Sequence, residues 1–317
     1  MKVSVAIPCY NEEEVLAFTV ETISNYLELL KLKKLFENFE IVLVDDGSSD
    51  KTWQLIESFC NQSPLIKGIK LSKNMGHQNA LLSGLFNANG DVVVSIDADL
   101  QDDITVIEKM ILEYNQGSHI VYGVRAKRES DTFFKRVSAE GFYRLMSMMG
   151  VNIIFNHADY RLMSKQAIEH LKEFQEVNLF LRGIVPLIGY KSSKVYYERS
   201  ERFAGESKYP LKKMLSFAWN GITSFSVVPL RIVSILGIFI FGFSFLMTLW
   251  VLSIKLFTNT AIPGWASTVL PIYFIGGIQL LSLGIIGEYV GKIYSETKQR
   301  PRYFIEKIYT QTKEKKS

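Results

Sequence analysis

The chain has 317 residues, of which 48% are hydrophobic and 13% aromatic, and its formal net charge is +4 at pH 7. This composition excludes an intrinsically disordered protein, because only 21% of the residues are charged and aromatic residues are plentiful. Two cysteines, Cys9 and Cys60, are too few for a disulfide scaffold, and the small net charge gives no indication of a nucleic-acid partner.

Short apolar runs alternate with segments of helical periodicity in the first 125 residues. The apolar runs predict strands at residues 3–8, 40–46, 65–71, 91–99 and 119–125. The segments between them predict helices at residues 12–30, 50–62, 76–88 and 103–115. This alternation predicts an α/β fold with a mainly parallel, Rossmann-like sheet. Ligands bind at the carboxyl ends of the strands in such sheets.

Polar segments follow the predicted strands: PCYNEEE, DDGSSD, SKNMG, DADLQDD and GVRAKR. Four of them are rich in acids or amides, and one is basic. No GxGxxG follows the first strand, and GxxxxGK[ST] is absent from the sequence. Dinucleotide dehydrogenases and P-loop NTPases are therefore disfavoured.

Asp97 and Asp99 lie one residue apart at the end of the fourth predicted strand. In an extended chain they share a face, and two such carboxylates repel unless a cation lies near them. Gln101 adds an amide oxygen on the same side. The pattern predicts a site where Mg²⁺ or Mn²⁺ holds a diphosphate, since such ions share their ligand shell with substrate phosphates. A solvated acidic loop is the alternative for a single DxD.

The segments IPCYNEE, VDDGSSD, NMGHQNALLSG and DADLQDD together resemble the family-2 glycosyltransferases of the GT-A type. The closer resemblance is to polyisoprenyl-phosphate glycosyltransferases, which include dolichol-phosphate mannose synthase and bacterial GtrB-type glucosyltransferases. DLQDD and RFAGESKYPLKKM, at residues 202–214, are similar to motifs of this lipid-phosphate branch. The resemblance covers the chain to about residue 213.

The resemblance implies roles for particular residues. It implies that the nucleotide sugar is bound by Pro8, Tyr10, Glu12, Asp45 and Asp97. It implies a metal site formed by Asp97, Asp99 and Gln101. It implies a catalytic group of Asp97, Asp99 and Asp159, with Asp159 near the sugar and the acceptor. Lys73 and His77 differ from many relatives, so the role of their loop in recognising the base stays open.

Basic residues follow the last predicted strands of the soluble part. Because arginine binds phosphate oxygens in a bidentate way, we expect these side chains to bind the acceptor phosphate: Arg125, Arg128, Lys135, Arg136, Arg202 and Lys208. Charge neutralisation on a solvated face is the alternative. Residues 133–149 and 210–225 carry aromatic residues and methionines beside lysines, which predicts amphipathic helices in the headgroup layer of a membrane.

Two charge-free segments follow, at residues 232–254 and 257–287, the second being most apolar at residues 269–286. Each is long enough for the roughly 30 Å hydrocarbon core of a bilayer, although a pair of buried core helices is the alternative. Basic residues outside the pair predict that both termini are cytoplasmic. The predicted organisation is a cytosolic GT-A domain (1–209), a juxtamembrane amphipathic helix (210–228), a two-helix transmembrane hairpin (229–291) and a basic cytoplasmic tail (292–317).

These features predict an inverting hexosyltransferase of the cytoplasmic membrane that acts on a polyprenyl phosphate. The resemblance favours UDP-glucose as the donor, and GDP-mannose and modified UDP-sugars stay open. A polysaccharide synthase is disfavoured, because only two spans are predicted and a QxxRW motif is absent. The intact DAD segment disfavours a non-enzymatic nucleotide-sugar-binding protein. Further expected partners are the lipid bilayer, a second copy of the chain and a separate flippase for the product.

Overall fold

The computed structural model describes residues 1–126, 157–176, 180–198, 223, 226–257 and 264–311. The chain divides into two compact units. Unit 1 comprises residues 1–143, 153–210 and 299–317, and unit 2 comprises residues 144–152 and 211–298. The predicted helix at residues 133–149 lies outside the described residues, as does the one at residues 210–225 apart from Thr223.

Unit 1 alternates strands and helices along the chain. Its elements are β1 (Lys2–Cys9), α1 (Leu16–Leu32), β2 (Asn38–Asp45), α2 (Thr52–Gln62), β3 (Ile66–Leu71), α3 (His77–Asn87), β4 (Val92–Ser95), α4 (Val106–Asn115), β5 (Ile120–Arg125), β6 (His157–Ser164), α5 (Lys165–Glu173), α6 (Leu181–Leu187), β7 (Ser192–Tyr197) and β8 (Ile305–Thr310). The five predicted strands and four predicted helices all form, with shifted ends.

The strands of unit 1 form one mixed sheet, with the strand order β7-β5-β6-β4-β1-β2-β3-β8. The central strands β4, β1, β2 and β3 are parallel, as the sequence predicts. β6 runs antiparallel between β4 and β5. Because of this reversed direction, β6 begins at the edge where the parallel strands end.

Helices cover both faces of the central strands. On one face, Leu16, Ile23 and Leu27 of α1 are fully buried in a cluster with Val5 and Ile7 of β1, among other residues. On the other face, Ala80 of α3 packs with Val42 and Val44 of β2. The helical spacing on α1 and the continuous apolar runs of the strands are what a sheet buried on both sides requires.

β8 closes the β3 edge of the sheet by pairing antiparallel with β3, with Ile308 opposite Ile69. Ion pairs join Lys307 to Glu57 at 2.7 Å and Lys70 to Glu306 at 3.0 Å. The sequence analysis predicted a basic tail at residues 292–317 and no strand within it, whereas residues 305–310 form an edge strand of the sheet. The segment IEKIYT is too short and polar to predict a strand far from its partner along the chain.

Unit 2 contains two long helices, α7 (Val228–Phe257) and α8 (Trp265–Thr297). The hydroxyl of Tyr289 donates to the carbonyl of Ser226 at 2.6 Å, so the end of α8 lies beside the start of α7 and the helices are antiparallel. Among the described residues, the segment Phe274–Thr297 is long and apolar enough to cross a membrane, and Val228–Ile240 is a shorter apolar helix.

Candidate active site

The predicted acidic residues lie together at the carboxyl edge of the sheet. β1 and β2 end level with each other, with Cys9 opposite Asp45. β4 stops earlier at Ser95, and the chain then turns across this edge. β6 places Asp159 there as well, because it begins where its antiparallel neighbours end.

The loops that follow β1 and β2 are joined to each other. The side-chain oxygen of Asn11 accepts from the backbone N–H of Ser49 at 2.9 Å, and the backbone N–H of Asn11 donates to the hydroxyl of Ser48 at 3.0 Å. Asn11 has a φ of +54°, a left-handed conformation that asparagine tolerates better than most residues. The N–H of Glu12 donates to the hydroxyl of Thr52 at 2.9 Å. The backbone of Glu12, which is predicted to bind the nucleotide, is therefore fixed in place.

Three more predicted nucleotide-binding residues differ in exposure. Pro8 is buried in β1, and Tyr10 is 48% exposed. Asp45 is buried, and its Oδ1 accepts from the N–H of Ser48 at 3.2 Å. Its Oδ2 has no hydrogen-bond partner among the described residues. Burial raises the pKa of Asp45 above its ordinary value, and the carboxylate of Asp50 adds to the rise.

The neighbouring carboxylate holds the loop before α3. Asp46 accepts hydrogen bonds from the N–H groups of Met75, at 2.7 Å, and Gly76, at 2.9 Å. Gly47, at a φ of +67°, lies so close to this loop that a Cβ would meet the carbonyl carbon of Lys73 at 2.5 Å. The start of α3 is therefore fixed at the sheet edge.

The acidic segment after β4 is a turn. β4 ends at Ser95, so Asp97 and Asp99 do not alternate along a strand, and the prediction that they share a strand face is wrong. Leu100 has a φ of +49°, and the N–H of Gln101 donates to Oδ1 of Asp99 at 3.2 Å. This turn brings Gln101 back into the interior, where it is 6% exposed.

Asp97 lies in a strongly acidic environment. Burial raises the pKa of Asp97 to about 6, and the Asp159 and Asp102 carboxylates add to the rise. The imidazole of His77 opposes it, with Nε2 at 3.5 Å from the Asp97 carboxylate. A cation at this edge would relieve the repulsion between the carboxylates.

Asp159 is surrounded by cations. Its carboxylate accepts from Nη2 of Arg161 at 2.6 Å and from Nη2 of Arg182 at 3.3 Å, and Nε2 of His77 lies 3.7 Å away. Burial alone would raise the pKa of Asp159, but the two guanidinium groups outweigh it and hold that pKa well below its usual range. Asp159 is therefore a fixed anion and a weak base.

Arg125, predicted to bind the acceptor phosphate, takes part in a different contact. Its Nη2 lies 3.5 Å from the carboxylate of Asp102, which also accepts from the Tyr197 hydroxyl at 2.6 Å. Asp102 is 2% exposed, whereas 30% of the Arg125 side chain is exposed. This group ties the acidic turn to β5 and β7, and a phosphate-binding role for Arg125 stays a prediction. Outside the described residues lie Arg128, Lys135, Arg136, Arg202 and Lys208.

The predicted metal-binding residues offer the hard oxygen atoms that Mg²⁺ and Mn²⁺ prefer. Oε1 of Gln101 is buried and has no hydrogen-bond partner in the described part of the chain. Within that part, His, Cys, Asp and Glu side chains form no cluster of three or more that could hold a metal ion. Two carboxylates and one amide fit an ion that completes its shell with substrate phosphates and water.

Residues 4–172 match the family described as glycosyl transferase family 2. The chain belongs to this family. A relative from Bacillus subtilis, the uncharacterized glycosyltransferase YkoT, is 52% identical over 306 residues, which is 96% of this chain and 90% of the relative. The SfII prophage-derived bactoprenol glucosyl transferase of Shigella flexneri is 39% identical over 310 residues, 98% of this chain and 99% of the relative.

Among solved structures, a glucosyl-3-phosphoglycerate synthase from Mycobacterium tuberculosis, in complex with Mn²⁺, UDP and phosphoglyceric acid, is similar to this glycosyltransferase with a TM-score of 0.45. It is 17% identical, and the match covers 70% of this chain and 76% of that chain.

Four residues at the site carry contacts that the sequence did not predict. Arg161 follows Asp159 by two positions on β6, so the period of a strand could have placed both on one face. Asp102 belongs to the DLQDD segment, but its burial could not be foreseen. His77 and Arg182 reach the site from α3 and α6, and no local pattern connects them.

Proposed function

We propose that this glycosyltransferase transfers glucose from UDP-glucose to a polyprenyl phosphate at the cytoplasmic face of a membrane. The observation that carries the proposal is the end-to-end match, at 39% identity, to a relative named bactoprenol glucosyl transferase. The match includes the apolar C-terminal helices as well as the sheet. This supports a membrane-embedded acceptor better than a soluble one.

The acidic turn supports a divalent cation in this reaction. Asp97, Asp99 and Gln101 would hold Mg²⁺ or Mn²⁺, because their oxygens suit such an ion and one of them is buried without a partner among the described residues. The ion, when bound, would neutralise the charge that develops on the departing nucleoside diphosphate.

The rest of the chemistry needs little acid–base catalysis. A phosphate monoester is largely anionic at neutral pH, so its oxygen can attack the anomeric carbon without a strong base. The new bond forms as the bond from that carbon to the donor diphosphate breaks, which inverts the configuration. The low pKa of Asp159 agrees with this scheme, since Asp159 would orient positive charge and would not accept a proton.

Purified protein with a short polyprenyl phosphate and a panel of nucleotide sugars tests the proposal. We expect a product with the mass of a polyprenyl-phosphate hexose from UDP-glucose, and no product with excess EDTA. The matched control is the same polyprenol without its phosphate, which should give no product. A wild-type enzyme that transfers no sugar to the lipid phosphate from any donor would contradict the proposal.

We also propose that α7 and α8 cross the membrane as a hairpin. Unit 1 includes residues both before and after unit 2, and β8 pairs with β3 in its sheet. A folded domain lies on one side of a membrane, so the chain between must cross an even number of times. The antiparallel packing of the two helices agrees with two crossings.

Cysteine labelling tests this topology. Cys9 and Cys60 are both buried, which should keep the background low. We expect an impermeant thiol reagent outside intact cells to label Thr260→Cys but not Ser317→Cys. Labelling at position 317 would contradict cytoplasmic catalysis.

Two spans per chain offer little helix–helix contact, so we further propose that the protein forms a homo-oligomer. We also propose that a separate flippase moves the product across the membrane.

A further inference from the structure

Gln78 joins two helices beside Asp159. Its Oε1 accepts a hydrogen bond from the backbone N–H of Leu181, the first residue of α6, at 2.8 Å. The side chain of Leu181 is fully buried. This bond therefore fixes where α6 begins, and with it the position of the next residue, Arg182.

The two arginines that face Asp159 differ in exposure. The side chain of Arg161 is 1% exposed, whereas that of Arg182 is 32% exposed. The solvent-accessible guanidinium is therefore that of Arg182, at the edge of the sheet where the reaction is proposed to occur.

Contacts of the three residues before Gln78 hold the start of α3 in place. Before it, the N–H groups of Met75 and Gly76 donate to the carboxylate of Asp46. Next to it, Nε2 of His77 lies 3.5 Å from Asp97 and 3.7 Å from Asp159. The amide oxygen of Gln78 is thus a fixed point from which α6 is positioned.

We propose that Arg182 contacts the phosphate of the acceptor and that Gln78 is a positioning residue that holds Arg182 there through Leu181. The inference rests on the proposed function, because it takes a phosphate monoester as the acceptor. Asp159 orients the guanidinium of Arg182, and a planar guanidinium held in this way suits the oxygen atoms of a phosphate.

Gln78→Met removes the acceptor oxygen and preserves the length of the side chain. We expect the KM for polyprenyl phosphate to rise about tenfold, which is the order of one lost hydrogen bond, with the KM for the nucleotide sugar unchanged. Gln78→Glu keeps an oxygen at this point but adds a negative charge, so its KM should lie between those of Gln78→Met and the wild type. The matched control is Gln54→Met on the exposed surface of α2, which should change neither KM.

A double variant separates this role from a general effect on folding. Arg182→Met should raise the KM for polyprenyl phosphate about a hundredfold, and Arg182→Lys should lie between it and the wild type. Because Gln78 acts through Arg182, the variant with Gln78→Met and Arg182→Met should be no worse than Arg182→Met alone. The melting temperature of each variant identifies any that is misfolded.

The outcomes distinguish this inference from the proposed function. A wild-type enzyme that does not use polyprenyl phosphate overturns both. An active wild type overturns the inference alone if Gln78→Met leaves the acceptor KM unchanged, raises the donor KM instead, or adds its full loss to that of Arg182→Met.

Discussion

The two ends of the central strands differ in how completely the protein compensates their carboxylates. At the amino end, Glu40 accepts hydrogen bonds from Lys2 at 2.6 Å and from the Ser4 hydroxyl at 2.7 Å, and also from the N–H of Asn89. Burial would raise the pKa of Glu40, but these donors outweigh it and lower that pKa. Its charge is thus well compensated by the protein.

At the carboxyl end the compensation is incomplete. The pKa values of Asp45, Asp46 and Asp97 are all raised, with burial as the main cause. Oδ2 of Asp45 and Oε1 of Gln101 have no hydrogen-bond partner among the described residues. Charges that are left uncompensated cost stability, and functional sites are where proteins retain them. The difference indicates that the ligand binds at the carboxyl end of the sheet.

The largest expected effect is that of Asp97→Asn. We expect sugar transfer to fall by about 1000-fold, because a carboxylate that would hold the cation is lost. The free energy of unfolding should stay level or rise, since the raised pKa shows that the Asp97 charge is unfavourable in the folded state. Transfer assays and thermal unfolding on the same preparation check both. A large loss of stability would contradict the contrast between the two ends.

Glu40→Gln should give the reverse result. We expect the free energy of unfolding to fall by about 2 kcal/mol, because Lys2 and Ser4 lose a buried charged partner. The kcat of the folded enzyme should be unchanged, since Glu40 lies at the opposite end of the strands. Glu37→Gln is the matched control, because the Glu37 side chain is 88% exposed and its ion pair should contribute little. A lower kcat in Glu40→Gln would connect this end to catalysis.

Much of this arrangement is predictable from the sequence. The alternating apolar runs predict the parallel strands, and the polar segments after them predict the site edge with Asp45 and Asp97. Asp159 also reaches that edge, although only the antiparallel direction of β6 explains how. These features are local, because a strand and the loop after it are adjacent in the chain.

The rest depends on contacts between distant segments. The strand β8 forms because β3 offers an unpaired edge, and its short alternating pattern alone does not require a sheet. Gln78 contacts Leu181, and Arg125 contacts Asp102, because tertiary packing brings distant segments together. The hydrophobic periodicity of the sequence does not predict either contact. Arg125 shows how far prediction from sequence reaches. Its position near the site predicts a contact with a phosphate, but its contact with the buried carboxylate of Asp102 is visible only in the structure.

The pH dependence of stability should separate the two ends further. Because the pKa of Glu40 is lower in the folded chain than its ordinary value of 4.5, its stabilising contribution is fully present above that pH. The contribution is lost as the pH falls through the folded-state pKa. We expect the stability gap between the wild type and Glu40→Gln to be constant from neutral pH down to about pH 5 and to narrow below it. Chemical denaturation at a series of pH values measures the gap.

Asp45→Asn should produce the smallest change. The asparagine keeps a carbonyl oxygen for the N–H of Ser48 and removes the charge, so we expect a gain in stability of less than about 1 kcal/mol at pH 7. The pKa of Asp45 is raised in the folded state, so the penalty of its charge is present at neutral pH and vanishes as the pH falls below its ordinary value of 3.8. The gain should vanish over the same range. If Asp45 also binds the base of the donor, the KM for the nucleotide sugar should rise about tenfold in the same variant, with the KM for the lipid acceptor unchanged. A variant that is less stable at pH 7 would mean that the buried Asp45 carboxylate is compensated after all, as Glu40 is, and the two ends of the sheet would then differ less than their hydrogen bonds indicate.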